Sequence, residues 1–516
     1  MGVASIAVID FGSQYTQLIA RRVRENQVRS IIFGPGVDAG DLRDHHVVGV
    51  ILSGGPGSVT DSGAVTCDES VFDLGVPILG ICYGMQIVCR RFGGCVEPAR
   101  RREYGKTGLD VLDADDLFAH VESPTHVWAS HGDMVLRVPD SFVAIARTAN
   151  CPVAAVRHRE RPIFGVQFHP EVAHTPEGGT IIRNFVDGIC HAPADWAMGR
   201  VIEQQIDRIR GRVGDDERVI CGLSGGVDSS VTAALVHRAI GARLVCIFVD
   251  NGMMRHGERE LVEGTFRRHF RMDLRVVDAS DRFIMALRDV TDPQQKRIII
   301  GREFIEVFRD QATSINNARY LAQGTLYPDV IESGHGQAGL SANIKLHHNV
   351  GGLPDDLDFD LIEPLRDLFK DEVRRIAEHL DLPAEITWRH PFPGPGLAVR
   401  IIGAVTPDRL ALLRRVDRIV IEEVRAAGWY QKIGQAFAVL IPVRTVGVMG
   451  DDRRYADQHL AAIRFVETAD FMTADWVRVE HALLECIASR VMNEVPGVNR
   501  VVYDISSKPP ATIEWE

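Results

Sequence analysis

The sequence is short of the features that would place it outside a cell, in a membrane or along a nucleic acid. Nine cysteines are scattered over 516 residues, an odd number with no Cys-x-x-Cys pair. That spacing builds neither a disulfide framework nor a zinc site, and it suits a reducing cytoplasm. Basic charge is not in excess, since Lys+Arg 58 stand against Asp+Glu 70 for a net charge of −12. A broad electrostatic surface for nucleic acid is therefore not expected. No apolar run is long enough to span a bilayer. The start, Met1-Gly2-Val3-Ala4-Ser5-Ile6, has no charged leader with an apolar core and no Ser or Thr at position 6 for myristoylation. The expectation is a cytoplasmic protein without a membrane partner.

What is present is an ordinary globular composition, 45% apolar and 25% charged, at a length that corresponds to about three domains. In the first stretch the apolar runs Ser5–Asp10, Val47–Leu52 and Val76–Ile81 read as buried strands, with a helix over Tyr15–Glu25. Strands alternating with helices predict a parallel sheet whose functional residues sit at the strands' carboxyl ends. The third run leads into Gly80-Ile81-Cys82-Tyr83-Gly84, the glycine spacing of a nucleophile elbow with Cys in the serine's place. A helix N-terminus behind Cys82 favours thiolate. The Tyr83 N–H faces the place where an oxyanion would form, and the Gly54-Gly55 loop is a source for a second donor. His169 and Glu171, two residues apart, fall on one face if that segment is extended. His169 would exchange the proton and Glu171 would orient the ring. The other cysteines read as small buried hydrophobes.

A second apolar run, Arg218–Gly222, leads into Ser224-Gly225-Gly226-Val227-Asp228-Ser229-Ser230 and then a helical pattern. Backbone N–H groups and a helix N-terminus converge there, an arrangement that holds phosphate. No Gly-Lys-Ser/Thr follows, which excludes the lysine-bearing P-loop. Asp228 beside a polyphosphate suits Mg²⁺. Runs at Arg243–Val249, Leu274–Asp278 and Tyr320–Thr325 complete a second parallel sheet. Cys190–Trp196 breaks the pattern as a linker, and Arg389–Leu397 is a proline-stiffened hinge. Beyond it, Phe437–Ile441 and Val446–Met449 read as strands, helical patterns follow, and Arg500–Ile505 reads as a last strand. The Pro-stiffened tail to Glu516 is expected to be docked. The expected architecture is α/β: two doubly wound parallel-sheet domains, 1–192 and 196–393, plus a smaller α+β domain at 394–516.

Gly-Ile-Cys-Tyr-Gly-Met-Gln together with His-Pro-Glu resembles the class I glutamine amidotransferases. The resemblance implies hydrolysis of glutamine to ammonia through a thioester, with Cys82 as nucleophile and His169 and Glu171 completing a triad. It also implies an oxyanion hole from Gly55 and Tyr83, and glutamine contacts from Gln86, Ser130 and His131. The Ser-Gly-Gly-Val-Asp-Ser-Ser run resembles the ATP pyrophosphatases, which implies that Ser224, Gly225, Gly226, Val227, Asp228, Ser229 and Ser230 bind ATP with Mg²⁺. Val249 and Gly324 would contact the adenine nucleotide. With the basic segments Gln294–Gly301 and 343–349 and the ending Lys-Pro-Pro-Ala-Thr-Ile-Glu-Trp-Glu, the order resembles the family of glutamine-hydrolysing GMP synthases across essentially the whole chain. That likeness implies xanthosine monophosphate (XMP) contacts from Arg297, Gln435, Lys508 and Glu514, and a homodimer made through the last domain. Ile298 stands where relatives often carry a second lysine. Gln294–Gly301 is expected to precede a helix.

Overall fold

A computed structural model describes residues 3–334, 359–443, 445–449, 452–455, 459–468, 471 and 473–516. The basic segment at 343–349 lies outside the described residues. The chain divides into two compact units, Met1–Val201 and Ile202–Glu516.

In the first unit the fully buried runs form the centre of the sheet because each is apolar on both faces. The strands are β1 (Ser5–Ile9), β2 (Arg29–Phe33), β3 (Val47–Leu52), β4 (Ile78–Ile81), β5 (Cys95–Val111), β6 (Thr125–Arg137), β7 (Phe142–Arg147), β8 (Ala155–His158) and β9 (Ile163–Val166). Their order is β2-β1-β3-β4-β9-β8-β7-β5-β6. The first five of that path pair in parallel, and the rest run antiparallel. The parallel half matches the expected wound sheet, while the antiparallel wing β5–β8 is an addition to it. Parallel β3, β4 and β9 lie side by side, so the loops leaving their carboxyl ends meet.

The helix Met198–Arg212 spans the boundary at Ile202, and the second unit contains a five-stranded sheet. Its members are β10 (Arg218–Gly222), β11 (Leu244–Asp250), β12 (Asp273–Asp278), β13 (Ala318–Ala322) and β14 (Asp360–Ile362). The order β12-β11-β10-β13-β14 is parallel throughout. Strand order reverses between β10 and β13, which opens a crevice at their carboxyl ends. A second sheet contains β15 (Gln435–Ile441), β18 (His459–Glu467), β19 (Asp475–Trp476) and β20 (Val498–Tyr503), and β16 (Val446–Met449) pairs with β17 (Asp452–Tyr455). One hydrophobic core joins Ile220 and Ile247 of the first sheet to Leu440 and Ile463 of the second.

Two expectations need correction. Gln294–Gly301 does not precede a helix; it lies inside the helix Pro293–Thr313. Asp292 caps that helix by accepting from the Gln295 N–H at 2.8 Å, and Pro293 suits a first turn that needs no donor there. The region after β16 is not all helical, because β18 is a central strand. Its middle is buried on both faces, so no alternation marks it as a strand. Arg464 on β18 is fully buried, yet its guanidinium donates to Ser506 O and Ile513 O at 2.9 Å and to Thr512 O at 3.0 Å. It also pairs with Asp504 at 2.9 Å, and these contacts dock the tail as expected.

Candidate active sites

β4 ends in Cys82, whose φ of 52° and ψ of −103° are rare for a residue with a side chain. Holding it there costs about 1–3 kcal/mol, and such strain persists where the surroundings enforce it. They do: a Cβ at Gly80 would lie 2.5 Å from the Met85 nitrogen, and one at Gly84 would lie 2.3 Å from Leu52 O. Only glycine fits on either side of the elbow. Cys82 caps the helix Tyr83–Arg91, so its Sγ sits at the positive helix end. The Sγ donates towards Ser130 O at 3.8 Å and accepts from Gln167 Nε2 at 3.6 Å.

His169 and Glu171 follow β9 in a turn rather than an extended segment, yet they meet: Nδ1 lies 2.8 Å from Glu171 Oε1. The other side of the ring hydrogen-bonds to Cys82. Burial works against a charged ring, but the bonds to Cys82 and Glu171 outweigh it and raise the His169 pKa to about 10. Burial pushes the Cys89 thiol up to about 12, and burial with the nearby Glu103 charge does the same to Cys151, as befits inert core cysteines. A cavity of ≈ 580 Å³ opens in front of the elbow, lined by Gly55, Tyr83, Gln86, Ser130 and His131 with Cys82 and His169. Gln86 Nε2 donates to Asp133 O at 3.1 Å. A thiol, an imidazole and a carboxylate in this sequence can make and resolve an acyl–sulfur bond.

In the second unit the loop after β10 wraps back on itself. Ser224 and Ser229 hydroxyls are 3.0 Å apart, and Ser230 Oγ donates to Gly226 O at 2.7 Å. Gly225 has φ 73°, and a Cβ there would stand 2.8 Å from Val262. Gly226 begins the helix Val227–Ile240. Gly324, after β13, is packed against this turn, where its Cβ would lie 3.1 Å from the Asp228 Cβ. Val249 is buried near the end of β11. Asp228 divides its two oxygens: Oδ2 pairs with Lys370, while Oδ1 is buried with no hydrogen-bond partner among the described residues. An orphaned carboxylate oxygen beside a phosphate cradle fits a Mg²⁺ ligand, because this ion takes one or two carboxylates and completes its shell with phosphates and water.

The four residues expected at XMP do not all meet. Gln435 Nε2 donates to Glu514 Oε1 at 2.8 Å and to Pro391 O at 3.2 Å, and Arg400 grips the same carboxylate at 2.8 and 3.0 Å. Arg297 donates to Glu516 O. Lys508 is tied elsewhere, with its Nζ on Phe471 O at 2.7 Å. Sequence reasoning missed Lys370, Gln167 and Arg389, whose guanidinium pairs with Glu258 and reaches Ser224 O at 3.4 Å. None belongs to a spacing pattern, and each partner is remote in sequence.

Residues 7–189 match the family described as glutamine amidotransferase class-I, 201–262 match NAD synthase, and 422–515 match the GMP synthase C terminal domain. These define a class: a glutamine-using amidotransferase fused to a nucleotide-activating unit. A GMP synthase [glutamine-hydrolyzing] of Carboxydothermus hydrogenoformans is 53% identical over 99% of this chain and 100% of its own. Those of Caldanaerobacter subterraneus and Thermosynechococcus vestitus are 52% and 53% identical, each over 99% of this chain and over 99% and 96% of their own lengths. The chain belongs to the family of glutamine-hydrolysing GMP synthases, and it is an enzyme of glutamine-dependent GMP synthesis. No helix among the described residues is long and apolar enough to cross a membrane.

Proposed function

We propose that GMP is made here by two chemistries divided between the two units. In the first, Cys82 attacks the side-chain amide of glutamine, and His169 moves the thiol proton to the departing ammonia. Glu171 holds the ring, the Gly55 and Tyr83 amides steady the oxyanion, and Gln86, Ser130 and His131 line the substrate. Water then releases glutamate from the thioester. In the second, Ser224–Ser230 hold the phosphates of ATP, with Val249 and Gly324 against the nucleotide. Asp228 would hold Mg²⁺, which when bound neutralises charge on the polyphosphate. XMP is held by Arg297, Gln435, Lys508 and Glu514.

A purine carbonyl oxygen leaves poorly. Transfer of AMP onto the XMP oxygen releases pyrophosphate and makes that oxygen a good leaving group, so ammonia can displace AMP. Ammonia free in neutral water is mostly ammonium and cannot attack, which is why a coupled source of it is useful. We read the working protein as a cytoplasmic homodimer.

The observation that best supports this reading is the strained Cys82 in contact with a His169 whose second nitrogen is 2.8 Å from Glu171. Product analysis with glutamine, ATP, Mg²⁺ and XMP tests it. Glutamate, GMP, AMP and pyrophosphate should appear in equal amounts; AMP without GMP, or ADP in place of AMP, would overturn it.

A further inference from the structure

A second buried histidine–carboxylate pair borders the same cavity through its histidine. Glu103 and His131 stand directly opposite each other across β5 and β6, so their side chains share a face. Both are buried, and His131 Nε2 is 3.3 Å from Glu103 Oε2. Each remaining polar atom is committed. His131 Nδ1 lies 3.1 Å from Asp133 O, an atom that only accepts, so Nδ1 carries a proton. Glu103 Oε1 accepts from Thr148 Oγ1 at 2.7 Å. The ring is thus held at Nδ1 by a hydrogen bond and at Nε2 by its approach to the Glu103 carboxylate. Burial lowers the pKa of His131, and the Glu103 charge works against that.

What the ring holds is the segment that faces the nucleophile. Ser130 O lies 3.8 Å from Cys82 Sγ, and Asp133 O receives both His131 and Gln86. We infer that Glu103 is a positioning residue for glutamine: through His131 it fixes the Ser130–Asp133 main chain that lines the cavity beside Cys82. This rests on the proposed glutaminase reading of the cavity. A displacement of about 1 Å in such a wall can cost on the order of a hundredfold in rate.

The test is steady-state glutamate release by the full chain with ATP, Mg²⁺ and XMP present, alongside AMP formation from ammonium salts. Glu103→Ala should raise the KM for glutamine about tenfold or more, with ammonium-driven AMP formation unchanged. Glu103→Gln should recover most of the loss, because an amide can face either protonation state of Nε2. Alkylation of Cys82 by iodoacetamide should keep its rate in both variants, since the pair acts on the wall and not on the thiol. A KM within about twofold of the parent in Glu103→Ala would overturn the inference. So would a loss of ammonium-driven activity equal to the loss with glutamine. If Glu103→Ala does not fold, Thr148→Val removes the other donor to Glu103 and should still raise KM; no change there overturns the inference as well. Glutamate release that survives Cys82→Ala would instead sink the reading of the cavity itself.

Discussion

The proposed glutamine and phosphate sites both form at glycine turns at the carboxyl end of a parallel strand, yet they are finished to different degrees. Around Cys82 each reacting group already has its partner: sulfur with imidazole, imidazole with carboxylate. Around Asp228 one carboxylate oxygen is held by a lysine and the other has no hydrogen-bond partner among the described residues. The difference follows from the chemistry each has to do. An acyl transfer draws its nucleophile and base from the protein, so they must be wired beforehand. A phosphoryl-type activation draws its charge neutralisation from a metal and its geometry from the nucleotide, so the protein leaves a place for both.

The sharpest way to break the comparison is to remove one site and watch the other. Cys82→Ala should lower glutamine-driven GMP formation by about 10⁴-fold or more while ammonium-driven formation persists. Assays with each nitrogen source, side by side, check this; loss of both in a folded protein would mean the sites are not separable. Asp228→Asn should then reduce AMP and pyrophosphate release by orders of magnitude with either source, followed with labelled ATP. Near-normal AMP formation would remove the loop from the reaction.

Glu171→Gln sharpens the contrast with a smaller effect, about a hundredfold in glutamate release. His169 is held charged far above its ordinary pKa of about 6.5, to about 10. Its pairing therefore contributes stability that is complete below about pH 6.5 and fades as pH rises through about 10. Deleting the Glu171 charge takes away one of the contacts that raise it, so the fade should begin at lower pH. Melting curves between pH 6 and 10 measure that shift, and identical curves for the two proteins would count against the pairing. Lys508→Ala should have the smallest effect, about a tenfold rise in the KM for XMP with the KM for ATP unmoved. Its ammonium group now sits on Phe471 O, a contact an arriving phosphate would have to replace. XMP titrations at saturating ATP decide it, with sedimentation as the control for assembly.

The parts legible in the sequence are those in which local sterics impose the residue. The glycines around Cys82 are demanded by backbone a few atoms away, and Gly225 by its φ of 73° and the nearby Val262 side chain, so their spacing carries the message by itself. The apolar runs of β1, β4 and β10 are equally plain. Long-range electrostatics were not. Lys296 sits in a basic segment, yet it is fully buried, with its Nζ on Ile401 O at 2.7 Å and on the Glu516 carboxylate. Nothing near position 296 announces that partner. β5 was missed for a related reason: its Arg100-Arg101-Arg102-Glu103 stretch lacks apolar alternation, and the residue that turns inward after the exposed Arg101 and Arg102 is the charged Glu103. β18 hid behind the opposite problem, being buried on both faces.

Arg464 gives the tail a standing that its position in the chain does not suggest. A guanidinium sealed inside the second unit is tolerable only while the Ser506–Ile513 backbone and Asp504 surround it. A chain cut short before Asp504, by a nonsense mutation or by a trimming protease, would leave that charge bare, at a cost of about 3–5 kcal/mol. That is a large share of a domain's margin of about 5–15 kcal/mol. Such a product would be a poor substrate-binding mutant only in name; the cell's quality-control proteases would meet it first as a misfolded protein.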